Sequence, residues 1–139
     1  MSAGVIIGYD GSDCAKAALR VGMEVARAYG EKVVIAFAYE LNPVAGELHD
    51  YHAALRELAQ QRLTEALSVA AEAHEEVEAV VVEREPAHGL VELAAERDAR
   101  VIVVGSRGDG LIKGVLLGST PHKLLALSDR PVLVVPSVR

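Results

Sequence analysis

The residues whose types and spacing can do chemistry are concentrated in one glycine-rich segment, residues 105–120. The segment opens with Gly105-Ser106-Arg107-Gly108 and closes with Gly118-Ser119-Thr120. Glycine lets a backbone approach a ligand closely, and the two closing hydroxyl groups stand beside the free amides of a predicted helix start. The segment therefore predicts a cradle for a phosphate group.

Pro121 sets where the helix after this segment is expected to begin. Proline disfavours the helical conformation at the residue before it and is itself favoured as the first helical residue. We therefore expect Thr120 to be the N-cap, with the positive end of the helix facing the glycine-rich segment. Because Pro121 has no amide hydrogen, it also removes one possible phosphate donor.

A tight connection that binds nothing is the alternative interpretation of the same segment. The G-x-x-x-x-G-K-[ST] pattern is absent, and no G-x-G-x-x-G follows the first predicted strand. The segment has two cations, Arg107 and Lys113, and each is either a phosphate contact or a solvated side chain. Composition alone does not choose between these alternatives.

Apolar runs alternate with helical patterns along the chain, and these predict the elements that position the segment. Helices are expected after Ser12, from about Leu48, from Pro86 and from Pro121. The predicted strands are short apolar runs at residues 4–9, 32–39, 79–82, 101–104 and 132–135. The alternation predicts an α/β three-layer sandwich, in which a five-stranded parallel sheet has helices on both faces.

Ligands of such sheets bind outside the carboxyl ends of the strands. That rule selects Gly8, Tyr9 and Asp10 after the first strand, Ala38 at the end of the second, and the glycine-rich segment after the fourth. Asp10 is predicted to contact a ribose hydroxyl or a magnesium ion; its alternative role is to accept backbone amides in the turn.

Length and charge exclude several classes of protein. The chain has 139 residues, so residues 1–139 are predicted to form a single domain. The net charge of −6 disfavours binding to nucleic acid. The first residues do not resemble a signal peptide, and no apolar stretch approaches the roughly 20 residues of a membrane span. We therefore expect a cytoplasmic protein that binds neither nucleic acid nor membranes.

Three segments, in the right order, give the chain its resemblance to the universal stress protein family. Nucleotide-binding members of that family share Gly, two residues, Gly, nine residues, then Gly-Ser or Gly-Thr. This chain resembles that pattern at Gly105, Gly108, Gly118 and Ser119. The three segments that resemble the family are the opening residues 6–12, the run of residues 101–108 and the closing residues 131–136. Arg84 departs from it, because many members have glycine there.

The resemblance implies a sheet of strand order 3-2-1-4-5 with ATP, or ADP or AMP, across its carboxyl edge, together with Mg²⁺. It implies no catalytic residue and no metal ligand from the protein. It implies that Asp10 lies near the ribose or adenine and that the Ala38 backbone meets the adenine edge. The other implied binding residues line the turn after the first strand or border the ribose and phosphates: Gly8, Tyr9, Gly105, Arg107, Gly108, Gly118, Ser119 and Thr120.

Two functions follow from these expectations. The first is a regulatory stress-response protein, a homodimer paired through the edge of the fifth strand, that presents a nucleotide-dependent surface to an unidentified protein partner. The second is a slow ATPase or phosphotransferase, for which Asp10 is one candidate carboxylate and no base is evident. A phosphate-receiver domain is excluded, because no aspartate follows the third strand and no lysine follows the fifth.

The remaining reactive side chains are expected to be structural. His49 and His52 are three residues apart with no further histidine or cysteine nearby, so a solvated helix start is expected there rather than a metal site. His122 lies near the predicted cradle, where packing is expected rather than a phosphate contact. Cys14 is expected to be a partly buried structural residue.

Overall fold

The computed structural model of the chain describes residues 4–40, 48–73, 76–107 and 119–137, with side chains from residue 52 onward in the second range. Strands and helices alternate through these ranges, as the sequence predicts. In chain order they are β1 (Gly4–Gly8), α1 (Asp13–Tyr29), β2 (Lys32–Tyr39), α2 (Leu48–Ala71), β3 (Val77–Glu83), α3 (Pro86–Arg97), β4 (Val101–Gly105), α4 (Ser119–Leu127) and β5 (Val132–Val135).

The strands form one parallel sheet in the order β3-β2-β1-β4-β5. In the centre of this sheet, Ile6 of β1 pairs with Val34 of β2 and Ile102 of β4. The predicted fold class and strand order are therefore confirmed. The chain reverses its direction of travel across the sheet between β1 and β4, which is the switch point where ligands bind in sheets of this kind.

Successive side chains of the central strands point alternately into the apolar clusters on the two faces of the sheet. Val5 and Ile7 pack on one face with α1 and α2, whereas Ile6 packs on the other face with α3 and α4. All three side chains have no exposed surface. Because successive strand residues point to opposite faces, strands buried on both sides need continuous apolar runs, and this explains why β2 lacks a polar face.

The ends of α1 follow from local sequence. The Ser12 hydroxyl accepts the Ala15 amide at 3.2 Å, and Gly30 closes the helix with φ of 67°. The predicted helix after Ser12 is confirmed: serine is a favoured N-cap, and glycine adopts the left-handed conformation at low cost. Among the described residues, no helix is long and apolar enough to cross a membrane.

The predicted start of the last helix is wrong by two residues. Helix α4 begins at Ser119, so Thr120 is helical and is not the N-cap. The amides of a first helical turn have no intrahelical acceptor, so Pro121 loses no hydrogen bond there. Pro121 and Leu124 form the buried face of α4. The free energy gained by burying them outweighs the steric preference against a helical conformation at Thr120.

Candidate functional site

A crevice opens at the carboxyl edge of the sheet, above the switch point between β1 and β4. Its floor comes from the ends of β1, β2 and β4, and its walls come from the first turns of α1, α3 and α4. The residues that line it are Gly8, Tyr9, Asp10, Ala15, Ala36, Ala38, Pro86, Leu90, Val104, Gly105, Arg107, Ser119, Thr120 and Pro121.

Eight of the ten predicted binding residues line this one crevice. The remaining two, Gly108 and Gly118, lie outside the described residues, as does Lys113. The fold thus brings together residues from four separate parts of the chain, although their roles toward a ligand stay predictions. The apolar lining residues Leu90, Val104 and Pro86 were not predicted from sequence.

The turn after β1 holds Asp10 at the crevice. An oxygen of its carboxylate, Oδ1, accepts the Ser12 amide at 2.9 Å, and Gly11 between them has φ of 85°. The Tyr9 amide donates to the Ala36 carbonyl at 2.8 Å, which extends the contact of β1 with β2 into this turn. Asp10 therefore fulfils the structural role named as its alternative, and it also lines the crevice.

One side of the crevice is apolar. Ala36 and Ala38 of β2 present small side chains, and Leu90 and Val104 stand beside Gly8 on the same face of the sheet as Ala36. A β-carbon at Gly8 would lie 3.0 Å from a methyl group of each of those two residues, so the floor is tightly packed. Small residues above a closed apolar floor leave room for a flat, largely apolar ring.

The other side of the crevice is polar and lies at the amino end of α4. Ser119 and Thr120 occupy its first turn, where backbone amides have no intrahelical acceptor. Arg107, near the start of the glycine-rich segment, is exposed and lines the same crevice. The Ser106 amide donates to the Val135 carbonyl at 2.8 Å, which fixes the beginning of that segment to β5. Amides, hydroxyls and a guanidinium together suit an anion.

Cys14 lies beneath this polar side. Its thiol is buried and is 3.5 Å from the Ser106 hydroxyl. Burial raises the pKa of the thiol, but hydrogen bonds from Ser106, the Arg107 backbone and Ser137 outweigh it, so the net pKa is lowered. The expectation of a structural cysteine is in keeping with this burial, because the thiol lies behind the crevice wall and not among the lining residues.

Glu85 supports the wall formed by α3. It is the N-cap of that helix, and its carboxylate accepts the amides of Ala87 at 3.1 Å and His88 at 3.2 Å. Lys123 of α4 lies 3.6 Å from the same carboxylate, so Glu85 joins the two helices that flank the crevice. Burial raises the pKa of Glu85, but hydrogen bonds from the His88 side chain and the two amides outweigh it, and the net pKa is lowered.

A cluster that sequence analysis missed lies at the ends of β2 and β3. One carboxylate oxygen of Glu83 is 3.1 Å from the Tyr39 hydroxyl, 3.2 Å from His52 Nε2 and 3.4 Å from an Arg56 nitrogen. The hydrogen bonds from His52 and Tyr39 lower the pKa of Glu83. His52 therefore pairs with an acid and is not merely solvated. Among the described residues, no three acidic, histidine or cysteine side chains are grouped so as to hold a metal ion.

The fold and crevice define a class: parallel α/β proteins with an opening at the switch point of the sheet. A model of the Universal stress protein family matches residues 1–136, and the chain belongs to that family. The resemblance inferred from the three sequence segments is thereby confirmed at the level of the family. The prediction of a single domain over residues 1–139 stays a prediction.

Several relatives are similar to this chain over nearly their whole length. The Thermus aquaticus "Universal stress protein in QAH/OAS sulfhydrylase 3'region" is 33% identical over 132 residues, covering 94% of this chain and 96% of that protein. A universal stress protein solved in complex with cAMP is 31% identical, with a TM-score of 0.78 and 98% of each chain covered. The Archaeoglobus fulgidus universal stress protein in complex with dAMP is 26% identical, with a TM-score of 0.74, covering 96% of this chain and 97% of that one.

Proposed function

We propose that this crevice binds an adenine nucleotide, ATP or the related ADP or AMP, and that the protein uses the bound nucleotide as a signal. The observation that carries the proposal is the convergence of residues from three strand ends and one helix start on a single opening. The complexes of two relatives with cAMP and dAMP support an adenine nucleotide as the ligand. Assignment to the ATP-binding branch rests on Gly105, Gly108, Gly118 and Ser119.

The nucleoside fits the apolar side of the crevice. Adenine would lie against Ala36 and Ala38, with Leu90 and Val104 closing the floor. A carboxylate has about four acceptor positions, so Asp10 can accept a ribose hydroxyl while it also holds the Ser12 amide. Burial of an apolar ring together with one charged hydrogen bond gives both affinity and orientation.

The phosphates fit the polar side. The first-turn amides of α4 and the hydroxyls of Ser119 and Thr120 would receive them, with Arg107 beside them. Gly108 and Gly118 are proposed to add backbone amides. Mg²⁺ would be held by phosphate oxygens and would neutralise part of their charge, because the described residues supply no cluster of metal ligands.

A second copy of the chain is proposed to cover the edge of β5. This strand is the outer neighbour of β4, and Val132, Leu133 and Val134 remain only partly buried. An apolar edge strand with unpaired backbone groups favours pairing with another edge.

Bound nucleotide would then alter the surface next to this interface, since the Ser106 amide ties the wall of the crevice to Val135. That surface is proposed to meet a protein partner in the cytoplasm.

The crevice gives little support to rapid ATP hydrolysis. Phosphoryl transfer to water needs a residue that positions or deprotonates the water. Asp10 is the one carboxylate among the described lining residues, which include no histidine, and it already holds a turn. We therefore propose at most weak hydrolysis. Turnover at ordinary enzyme rates that is lost in Asp10→Ala would favour the ATPase or phosphotransferase instead.

The proposal is tested by the nucleotide that accompanies the protein through purification, identified by mass, and by titration of nucleotide-free protein. Gly118→Val is expected to lose ATP affinity and to stay folded, because its side chain blocks the approach of the backbone to phosphate. Ala126→Val, which places the same side chain on the exposed face of α4, is the matched control and is expected to bind like wild type. Equal affinity of Gly118→Val and wild type would count against the cradle.

A further inference from the structure

Helix α2 reaches the turn that holds Asp10 through the side chain of Arg62. A β-carbon at Gly11 would stand 2.6 Å from Arg62 Cδ, 2.8 Å from its Nε and 3.1 Å from its Cζ. Arg62 therefore occupies the space that a side chain at position 11 would need. Arg62 is absent from the lining of the crevice, so its contact is with the turn and not with the ligand opening.

The guanidinium has one ion pair among the described residues: its NH1 lies 3.5 Å from a Glu65 carboxylate oxygen on the next turn of α2. Its Nε is buried and has no hydrogen-bond partner within the described part of the chain. The position of Arg62 against the turn therefore follows mainly from the packing of its side chain on Gly11.

The same groups surround Tyr9, the lining residue before Asp10. Burial raises the pKa of the Tyr9 hydroxyl, as do the charges of Glu65 and Asp10, while the charge of Arg62 lowers it. Tyr9 itself is only 5% exposed. The turn, Tyr9 and the middle of α2 therefore form one packed and charged unit that reaches the crevice through Tyr9 and Asp10.

Gly11 is the residue of this unit whose backbone can rotate most freely. With φ of 85° it adopts a conformation natural to glycine, and glycine has more backbone freedom than other residues. The hydrogen bond between Asp10 and the Ser12 amide spans Gly11, so rotation there would turn the carboxylate away from the crevice. Arg62, packed where the missing side chain would be, restricts that rotation.

We infer that Arg62 is a positioning residue for the nucleoside: it holds the turn at Gly11 so that the Asp10 carboxylate stays aimed at a ribose hydroxyl. This inference rests on the proposed function. It predicts that α2, which contributes no residue to the described lining, affects how well the crevice distinguishes ribose from deoxyribose. Arg62 acts through Asp10 and does not touch the nucleotide.

The test is a titration with AMP, 2′-deoxy-AMP and 3′-deoxy-AMP of four proteins: wild type, Arg62→Met, Asp10→Asn and the double variant. Arg62→Met is expected to bind AMP roughly tenfold more weakly, about the value of one hydrogen bond to a charged group. It is expected to bind the analogue that lacks the contacted hydroxyl as wild type does. The double variant is expected to bind no more weakly than Asp10→Asn, because the two changes remove the same interaction.

Arg20→Met, which removes an exposed arginine of α1, is the matched control and is expected to bind like wild type. Arg62→Lys, which keeps the charge and most of the aliphatic chain, is expected to bind between wild type and Arg62→Met. Equal weakening of all three nucleotides by Arg62→Met, or additive losses in the double variant, would show a merely structural role and overturn the inference. Wild type that binds neither these three nucleotides nor ATP would overturn the proposed function itself, and the inference with it.

Discussion

The backbone of Gly105 at the end of β4 lies directly on Cys14 in the first turn of α1. A β-carbon at Gly105 would stand 2.6 Å from both the carbonyl carbon and the Cβ of Cys14, and 2.9 Å from the Ala15 amide nitrogen. These are mostly backbone atoms, which cannot turn aside as the tip of a flexible side chain does. The glycine that opens the glycine-rich segment is therefore required by packing as well as by any approach to a ligand.

Gly105→Ala is expected to lower the free energy of unfolding by about 2–3 kcal/mol, the typical cost of forcing an extra carbon into a packed interior. Urea denaturation followed by circular dichroism measures it. Gly4→Ala is the control, since the nearest atom of the described residues to a β-carbon there is the Lys32 carbonyl oxygen at 3.6 Å, and its change is expected to stay within about 0.5 kcal/mol. Equal stability of Gly105→Ala and wild type would mean that β4 and α1 are not in such close contact.

Cys14 is expected to form its thiolate at a lower pH than free cysteine does, because hydrogen bonds at the thiol outweigh its burial. Its folded pKa is depressed, so its contribution to stability is present above the ordinary pKa and is lost as the pH falls through the lowered one. Thiolate absorbance as a function of pH measures this. Ser106→Ala should raise the pKa of Cys14, whereas Ser68→Ala on the exposed face of α2 should leave it unchanged.

Glu85→Ala is expected to destabilise the protein by about 1 kcal/mol, the usual cost of losing an N-cap. The folded pKa of Glu85 is depressed, so its stabilisation is present above the ordinary glutamate pKa and is lost as the pH falls through the lowered one. Thermal unfolding at neutral and acidic pH should show the deficit at neutral pH only. Glu96→Ala, an exposed residue near the other end of α3, is the control. A deficit that persists in acid would contradict this role of the Glu85 charge.

Val132→Lys is expected to convert the proposed dimer into a monomer, because it places a charge on the edge strand that a second copy would cover. Sedimentation of wild type and variant measures the oligomeric state. Leu125→Lys, at a residue of α4 that is 59% exposed, tests whether any added lysine on this part of the protein has the same effect. A wild-type protein that sediments as a monomer would contradict the proposed pairing.

Local sequence predicts most of the fold of this chain. Strand β2 has the predicted bounds, Lys32–Tyr39, because a continuous apolar run between polar residues specifies a strand buried on both faces. The cap of α1 at Ser12 and the proline start of α3 follow from rules that act over a few residues. The start of α4 was missed because burial of Leu124 and Pro121, which depends on distant elements, outweighs the local preference of Thr120.

The site was predictable only in part. The rule that ligands meet the carboxyl ends of parallel strands placed Asp10, Ala38 and Gly105 together without knowledge of distances. Contacts between remote segments were not predictable, because no local pattern marks them. The contact of Arg62 with Gly11 and the hydrogen bond between His52 and Glu83 both depend on how α2 packs on the sheet.

The most direct test of the central claim is a crystal structure of the protein grown with saturating ATP and Mg²⁺. The account predicts adenine against Ala36 and Ala38, ribose within hydrogen-bond distance of Asp10, and phosphates at the amino end of α4 by Ser119 and Thr120. A crevice that remains empty, or that is filled by side chains of the protein itself while ATP is in excess, would contradict it.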